Sequence, residues 1–159
     1  MNFLEELVAE WYDFNGYFIK KNIRIEELPK GGYKGEMDII AFHPLKKELV
    51  HIETSTDAKN WDARKKRLLK KFNTAQNCYQ DLFPFEYRNI KRIAIAGWFA
   101  KKHSKRASLG EDIELKSLPE FTNEIISALK NYPASKAVPE KYPLLRAIQA
   151  TIQTIKKYE

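Results

Sequence analysis

The sequence predicts an α/β (α+β) fold, in which a central mixed β-sheet is flanked by helices in the order αβββαβ, followed by a further strand and two C-terminal helices. Two adjacent segments, residues 35–42 and 48–55, alternate their side chains with the period of two that is typical of strands. A helical pattern follows and leads into a short apolar run at residues 91–97, which suits a buried central strand. Because a strand that follows a helix implies a crossover and parallel pairing, we expect strands of both directions.

Composition limits the class of protein. The chain has 159 residues and 43% hydrophobic content, which suits one domain with a sizeable core. No apolar run approaches the ~20 residues needed to cross a bilayer, and the acidic N-terminus does not resemble a signal peptide, so we expect a cytoplasmic protein with no membrane partner. A single cysteine, Cys78, excludes an internal disulfide and a zinc cluster. The net charge of +7 favours an anionic partner.

The N-terminal third contains the first helix and strand. Residues 2–15 carry apolar side chains at helical spacing and end at an Asn-Gly pair, which predicts a helix. Residues 17–26 alternate as a first strand, and residues 29–35 form the turn into the next one. Residues 43–47 contain a proline and two charges, so they suit a turn between antiparallel neighbours.

Two carboxylates occur on the strands that this turn connects. If the strands pair, Asp38 and Glu53 can lie side by side. Neighbouring carboxylates repel each other unless a cation or a proton intervenes, and hard oxygen ligands of this kind suit Mg²⁺ or Mn²⁺. The pattern therefore predicts a divalent-metal site.

These residues resemble a known family. Glu36, Asp38 and Glu53, followed two residues later by Ser55, resemble the PD-(D/E)XK restriction-endonuclease-like nuclease superfamily. The run GEMDII, with a second strand that ends in IET, is especially similar to small bacterial members that resemble Holliday-junction resolvases. The resemblance implies a restriction-endonuclease-like core and metal-dependent hydrolysis of nucleic-acid phosphodiesters, with DNA favoured over RNA. In that superfamily a lysine, which helps to activate or position water, stands where this chain has Ser55.

The resemblance also implies roles for individual residues. Asp38, Glu53 and the backbone carbonyl of Thr54 would hold Mg²⁺ or Mn²⁺ against the scissile phosphate. The residues that it assigns to catalysis are Asp38, Glu53, Ser55, Glu5 and Glu36. Glu5 precedes the Gly16-Tyr17 pair by eleven residues, as in many relatives, where this glutamate is an outer metal or water contact. The alternative is that Glu5 is a surface carboxylate near a helix N-terminus.

The serine at the lysine position leaves several functions open. A displaced lysine could replace the missing charge, and Lys20, Lys34 and Lys59 are the candidates. The chain could instead be a lapsed nuclease fold that acts as a nucleic-acid-binding or assembly module. A hydrolase of small phosphate-bearing molecules is a third class, because the same ligands serve other chemistries. Only His51 of the histidines is near the carboxylates, and a single strand histidine is more often structural than a ligand.

A basic helix is predicted after the second carboxylate strand. Thr56-Asp57 can cap a helix over about residues 58–82. The apolar stripe of this helix, which packs on the sheet, consists of Trp61, Leu68, Phe72, Ala75, Tyr79 and Leu82. The opposite face and a later basic loop are predicted to contact phosphates, although a solvated surface is the usual alternative. The proposed nucleic-acid contacts are Lys59, Lys66, Lys70, Lys101, Lys102, Lys105 and Arg106.

The C-terminal part completes the domain. Residues 112–118 suit an edge strand and residues 119–131 a helix, so that residues 1–131 form the nuclease-like domain. Residues 132–142 are predicted to be a proline-bearing linker, and residues 143–159 the final helix. Its apolar stripe either packs on the domain or meets its copy in a homodimer.

Overall fold

The computed structural model describes residues 2–57, 60–97, 107–133 and 135–159. It contains one five-stranded mixed sheet with helices on both faces, which confirms the predicted α/β class and the order of its elements. The elements are α1 (Phe3–Phe14), β1 (Phe18–Glu27), β2 (Tyr33–His43), β3 (Glu48–Ser55), α2 (Trp61–Gln76), α3 (Tyr79–Leu82), β4 (Asn89–Ala96), β5 (Glu114–Ser117), α4 (Leu118–Lys130) and α5 (Pro143–Tyr158). None of the described helices is long and apolar enough to cross a membrane.

The strands follow chain order across the sheet, β1-β2-β3-β4-β5. The β1–β2 and β2–β3 pairs are antiparallel, as short turns require, and the β3–β4 and β4–β5 pairs are parallel. In the β2–β3 ladder Ile40 lies opposite His51, and Ile39 opposite Ile52. One further step in this register brings Asp38 to Glu53, just beyond the last paired residues.

The two faces of the sheet bury different helices. Val50 and Ile52 pack in a cluster with residues of α1, α4 and α5, whereas Leu49 packs in a second cluster with Ala75 and Tyr79. This alternation along β3 follows from the strand period of two. The odd-numbered residues of β3, which include His51 and Glu53, therefore face α2 and α3.

The helix predicted over residues 58–82 is wrong in its bounds. α2 begins at Trp61, because the Asn60 side chain accepts the Ala63 N–H at 3.0 Å and acts as the N-cap in place of Thr56-Asp57. It ends at Gln76, where the Cys78 N–H turns back to the Ala75 carbonyl at 2.9 Å. The C-terminal end of the predicted apolar stripe therefore does not belong to α2. Its last two members, Tyr79 and Leu82, lie on the separate helix α3, where Tyr79 is 4% exposed and Leu82 is 36% exposed.

The strand predicted over residues 112–118 is also shorter than expected. Only Glu114–Ser117 pairs with β4, because Ser117 is already the N-cap of α4. Its hydroxyl accepts the Glu120 N–H at 3.3 Å, and the Glu120 carboxylate accepts the Ser117 N–H at 2.7 Å. This reciprocal capping box ends the strand and starts the helix.

The final helix packs on the domain through α1 and α4. Its N-cap residue, Tyr142, makes no capping hydrogen bond with its side chain. Glu10 of α1, which is 5% exposed, performs that task, since its carboxylate accepts the N–H groups of Leu144 at 3.2 Å and Leu145 at 3.0 Å. A carboxylate at a helix N-terminus also interacts favourably with the helix dipole.

We expect Glu10→Ala to lower the free energy of unfolding by about 1–3 kcal/mol, because it leaves one buried and one part-buried N–H group without their acceptor. Urea denaturation followed by circular dichroism measures the change. The matched control is Glu6→Ala, which removes an ion pair with Lys21 at 3.2 Å on a half-exposed surface. That variant should cost less than about 1 kcal/mol. Equal losses in both variants would contradict the capping role of Glu10.

Candidate active site

Asp38 and Glu53 lie on neighbouring strands around one ammonium group. Lys71 of α2 contacts both of them, through Asp38 Oδ1 and Glu53 Oε2. Glu53 is fully buried, Asp38 is 8% exposed, and Lys71 is half-buried. The structure thus brings the two sequence-predicted carboxylates together, with a positive charge between them that the sequence analysis did not include.

The second oxygen of Asp38 is bound by the neighbouring strand. Oδ2 accepts the Thr54 N–H at 2.9 Å and the Thr54 hydroxyl at 3.3 Å. The last paired residues of the β2–β3 ladder are Ile39 and Ile52, so the Thr54 N–H is available to a side chain. This contact orients the Asp38 carboxylate toward α2.

The second oxygen of Glu53 is bound by a buried histidine. Oε1 lies 2.7 Å from His51 Nε2, and His51 Nδ1 lies 2.6 Å from the hydroxyl of Tyr79. His51 is fully buried, and its ring packs on Phe72 and Tyr79 with centroid separations of 4.8 and 5.6 Å. All four oxygens of Asp38 and Glu53 therefore have partners within the protein.

The titration behaviour of the cluster follows from burial and from the shared ammonium. Burial, together with the Asp38 charge, raises the pKa of Glu53 well above its usual range. Burial alone would also raise the pKa of Asp38, but Lys71 and the Thr54 N–H hold it below its usual value. Burial would lower the pKa of Lys71, but Glu53 and Asp38 raise it. Burial lowers the pKa of His51 to about 3, so the ring is neutral near pH 7.

Arg67, a positively charged side chain of α2, reaches Ser55 at the end of β3. Arg67 Nη2 donates to Ser55 Oγ at 2.8 Å, and the same guanidinium pairs with Asp57. Arg64 Nε lies 3.8 Å from Asp57 Oδ1. Arg64, Arg67 and Lys71 follow each other at spacings of three and four, so they share one face of α2. That face lies along the end of β3.

Two of the other predicted catalytic residues lie elsewhere. Glu36 is exposed and opposite Arg24 in the β1–β2 ladder. Glu5 accepts a hydrogen bond from the Asn2 side chain at 2.8 Å, at the start of α1. Within the described part of the chain, neither contacts Asp38 or Glu53 through a hydrogen bond or an ion pair. Ser55 is 2% exposed and belongs to the cluster through Arg67.

Lys71 is the residue that the sequence interpretation missed. Of the three lysines proposed as substitutes, Lys20 is exposed on β1, Lys34 pairs with Glu26 at 2.8 Å, and Lys59 lies outside the described residues. Lys71 directly precedes the buried Phe72, on the border of the apolar stripe of α2. A lysine on that border, in a helix that packs on two buried carboxylates, is the sequence feature that could have predicted the contact of Lys71 with Asp38 and Glu53.

The predicted phosphate contacts are described only in part. Lys66 and Lys70 are exposed on α2. They line a shallow open groove together with Lys34, Asn73 and Asn77. Predictions for Lys59, Lys101, Lys102, Lys105 and Arg106 fall outside the described residues.

A metal would have to rely on few side chains. Among the described residues, no group of three or more His, Cys, Asp or Glu side chains is arranged to hold a metal ion. The available hard donors are the two carboxylates and the backbone of β3. The ammonium of Lys71 between Asp38 and Glu53 shows that the space between them accepts a cation. This donor set fits Mg²⁺ or Mn²⁺ better than a softer metal.

Comparisons with known proteins support the fold. No family model and no curated protein sequence matches the chain. Among solved structures, one described as "Protein of Unknown Function AF1548" is similar, with a TM-score of 0.52 and 12% sequence identity. The similarity covers 99% of this chain and 98% of that chain. At this identity the comparison establishes a shared mixed α/β architecture and nothing about activity.

Proposed function

We propose that this chain is a metal-dependent nuclease with a restriction-endonuclease-like site, in which Lys71 replaces the lysine that is missing at Ser55. The observation that carries the proposal is the contact of one ammonium with both Asp38 and Glu53. In the family that the sequence resembles, a lysine of β3 would supply this charge. Here the charge comes from α2 and reaches the same pair of carboxylates.

Asp38, Glu53 and the backbone carbonyl of Thr54 would hold Mg²⁺ or Mn²⁺. When bound, such a cation polarises a phosphoryl oxygen and lowers the pKa of a coordinated water. Because Lys71 is only half-buried, its ammonium can turn from the carboxylates toward an incoming phosphate. There it would stabilise the negative charge that develops on the phosphoryl oxygens.

Arg67 is positioned to bind a phosphate beside the carboxylates. Its side chain is 42% exposed, and its guanidinium is oriented by Ser55 and Asp57. A guanidinium can form two parallel hydrogen bonds with a phosphate, which a lysine cannot. Lys66 and Lys70 would extend this contact along the substrate backbone, and the net charge of +7 would favour its approach.

The test is a cleavage assay with purified protein and Mg²⁺ or Mn²⁺, on single-stranded, double-stranded and branched DNA and on RNA. We expect cleavage of DNA and a loss of at least about 100-fold in Asp38→Asn, because one of two metal-binding carboxylates is neutralised. The control is Asp81→Asn, an exposed acid on α3, which should cleave at the wild-type rate. Unchanged cleavage by Asp38→Asn would refute the proposal.

A second function is favoured by the complete pairing of the carboxylate oxygens. Since Lys71, Thr54 and His51 satisfy Asp38 and Glu53 without a metal, the fold can also serve as a lapsed nuclease that only binds nucleic acid. That function requires binding that weakens steeply with salt, survives in Asp38→Asn, and is not followed by cleavage.

A further inference from the structure

Tyr79 reaches the candidate site through His51. The three groups form one buried chain, from the Tyr79 hydroxyl to His51 Nδ1 at 2.6 Å and from His51 Nε2 to Glu53 Oε1 at 2.7 Å. Tyr79 is 4% exposed, and His51 and Glu53 are fully buried. The chain continues from Glu53 Oε2 to Lys71. A residue on α3 is thus connected to the ammonium on α2 through β3.

Each ring nitrogen of His51 has one partner. The Tyr79 hydroxyl lies at Nδ1 and the Glu53 carboxylate at Nε2. In a neutral imidazole one nitrogen donates and the other accepts, so the two hydrogen bonds are coupled through the ring. Loss of the Tyr79 hydroxyl would therefore also change the hydrogen bond between His51 and Glu53.

The helix break places the tyrosine at this position. Because α2 ends at Gln76 and α3 starts at Tyr79, the ring packs directly on His51, in an edge-on arrangement with 73° between the planes. Phe72 covers the same imidazole from α2. With two aromatic neighbours and both nitrogens bonded, the imidazole has one orientation.

We propose that Tyr79 and His51 are positioning residues that hold the Glu53 carboxylate, with Oε1 bound by His51 and Oε2 on the side of Lys71, where the carboxylate would bind a metal. The metal part of this inference rests on the proposed function, and the chain of hydrogen bonds does not. A purely structural buried histidine would form hydrogen bonds with groups outside the candidate site. Here one nitrogen of His51 binds a carboxylate that also contacts Lys71, so loss of the Tyr79 hydroxyl would alter the position of that carboxylate.

The discriminating variant is Tyr79→Phe, which removes the hydroxyl and keeps the ring. Partners of metal ligands typically contribute 10- to 100-fold to metal affinity, so calorimetric titration should show Mn²⁺ binding weakened by about 10-fold or more. Because the buried His51 Nδ1 loses its partner, the unfolding midpoint in urea should fall below that of the control, Tyr87→Phe, whose ring packs in the same cluster, but both variants should remain folded. The control should bind Mn²⁺ as the wild type does.

A second readout is independent of metal. Nitrogen NMR of the metal-free wild type should show His51 in a single tautomer, and Tyr79→Phe should shift the Nδ1 resonance. If the wild type takes up no Mn²⁺, the proposed function fails and these resonances alone decide the chain of hydrogen bonds. An unshifted Nδ1 resonance, or wild-type Mn²⁺ affinity, in Tyr79→Phe would overturn the positioning role.

Discussion

Replacing Lys71 with methionine is expected to lower the rate of DNA cleavage at saturating Mn²⁺ by at least about 100-fold, the cost of removing one preorganised charge from a buried site. Methionine retains an apolar stem that can pack beside Phe72, and the Mn²⁺ that would bind Asp38 and Glu53 offsets the lost ammonium, so the fold should persist at saturating Mn²⁺. The loss should appear in kcat more than in KM, because the ammonium is needed most where charge develops in the transition state.

Lys130→Met is the matched control for this variant. Lys130 is an exposed lysine at the end of α4, which packs on the opposite face of the sheet. It loses the same net charge, so it corrects for weaker general attraction to nucleic acid. If both variants lost activity equally, or if Lys71→Met cleaved as the wild type does, Lys71 would not be the substitute for the motif lysine.

Replacing Phe72 with alanine is expected to lower the free energy of unfolding by about 3–5 kcal/mol, through lost burial and the cavity that remains. The Phe72 side chain is fully buried between α2 and the sheet and covers the His51 imidazole at 4.8 Å. A domain of this kind has only about 5–15 kcal/mol of stability, so the loss should be large in a urea titration.

Leu82→Ala is the control for Phe72→Ala. The sequence placed Phe72 and Leu82 on one apolar stripe, but Leu82 is 36% exposed on α3. Its truncation should cost less than about 1 kcal/mol, as at other surface positions. A similar loss in both variants would indicate a continuous helix whose stripe extends to Leu82.

The strands and the carboxylate pair could be predicted because they depend on local rules. A period of two and a short turn determine the register of neighbouring strands, and that register brings Asp38 to Glu53. The chemistry of the pair then follows from the repulsion of two buried carboxylates. No element further along the chain is needed for either step.

Lys71 could not be predicted in the same way, because its role depends on how α2 is rotated over the sheet. The angles around the helix axis placed Lys66 and Lys70 on the outer face, where they are exposed. The same angles leave Lys71 at the border between the outer and the apolar face, so its side chain can point to solvent or to the sheet.

The end of α2 at Gln76 also depends on tertiary packing. Asn77 is a weak helix former and permits the helix to end there, and the break allows Tyr79 to pack on His51.

The position of the final helix was open for a similar reason. An amphipathic pattern shows that a helix has a face to cover and does not identify what covers it. The buried carboxylate of Glu10, which binds the first turn of α5, specifies the domain itself as that surface. A glutamate among the apolar residues of α1 gave no sign of this long-range partner.

The measurement that tests the proposed metal centre most directly is calorimetric titration of Mn²⁺ into the wild type and into Glu53→Ala. Each is titrated alone and with a short noncleavable DNA duplex, at moderate salt. We expect uptake of a cation by the wild type, strengthened by the duplex because its phosphate shares the ion, and loss of that uptake in Glu53→Ala. Absence of uptake by the wild type in both conditions, or equal uptake by the variant, would contradict the assignment of Asp38, Glu53 and Lys71 as a metal-dependent nuclease site.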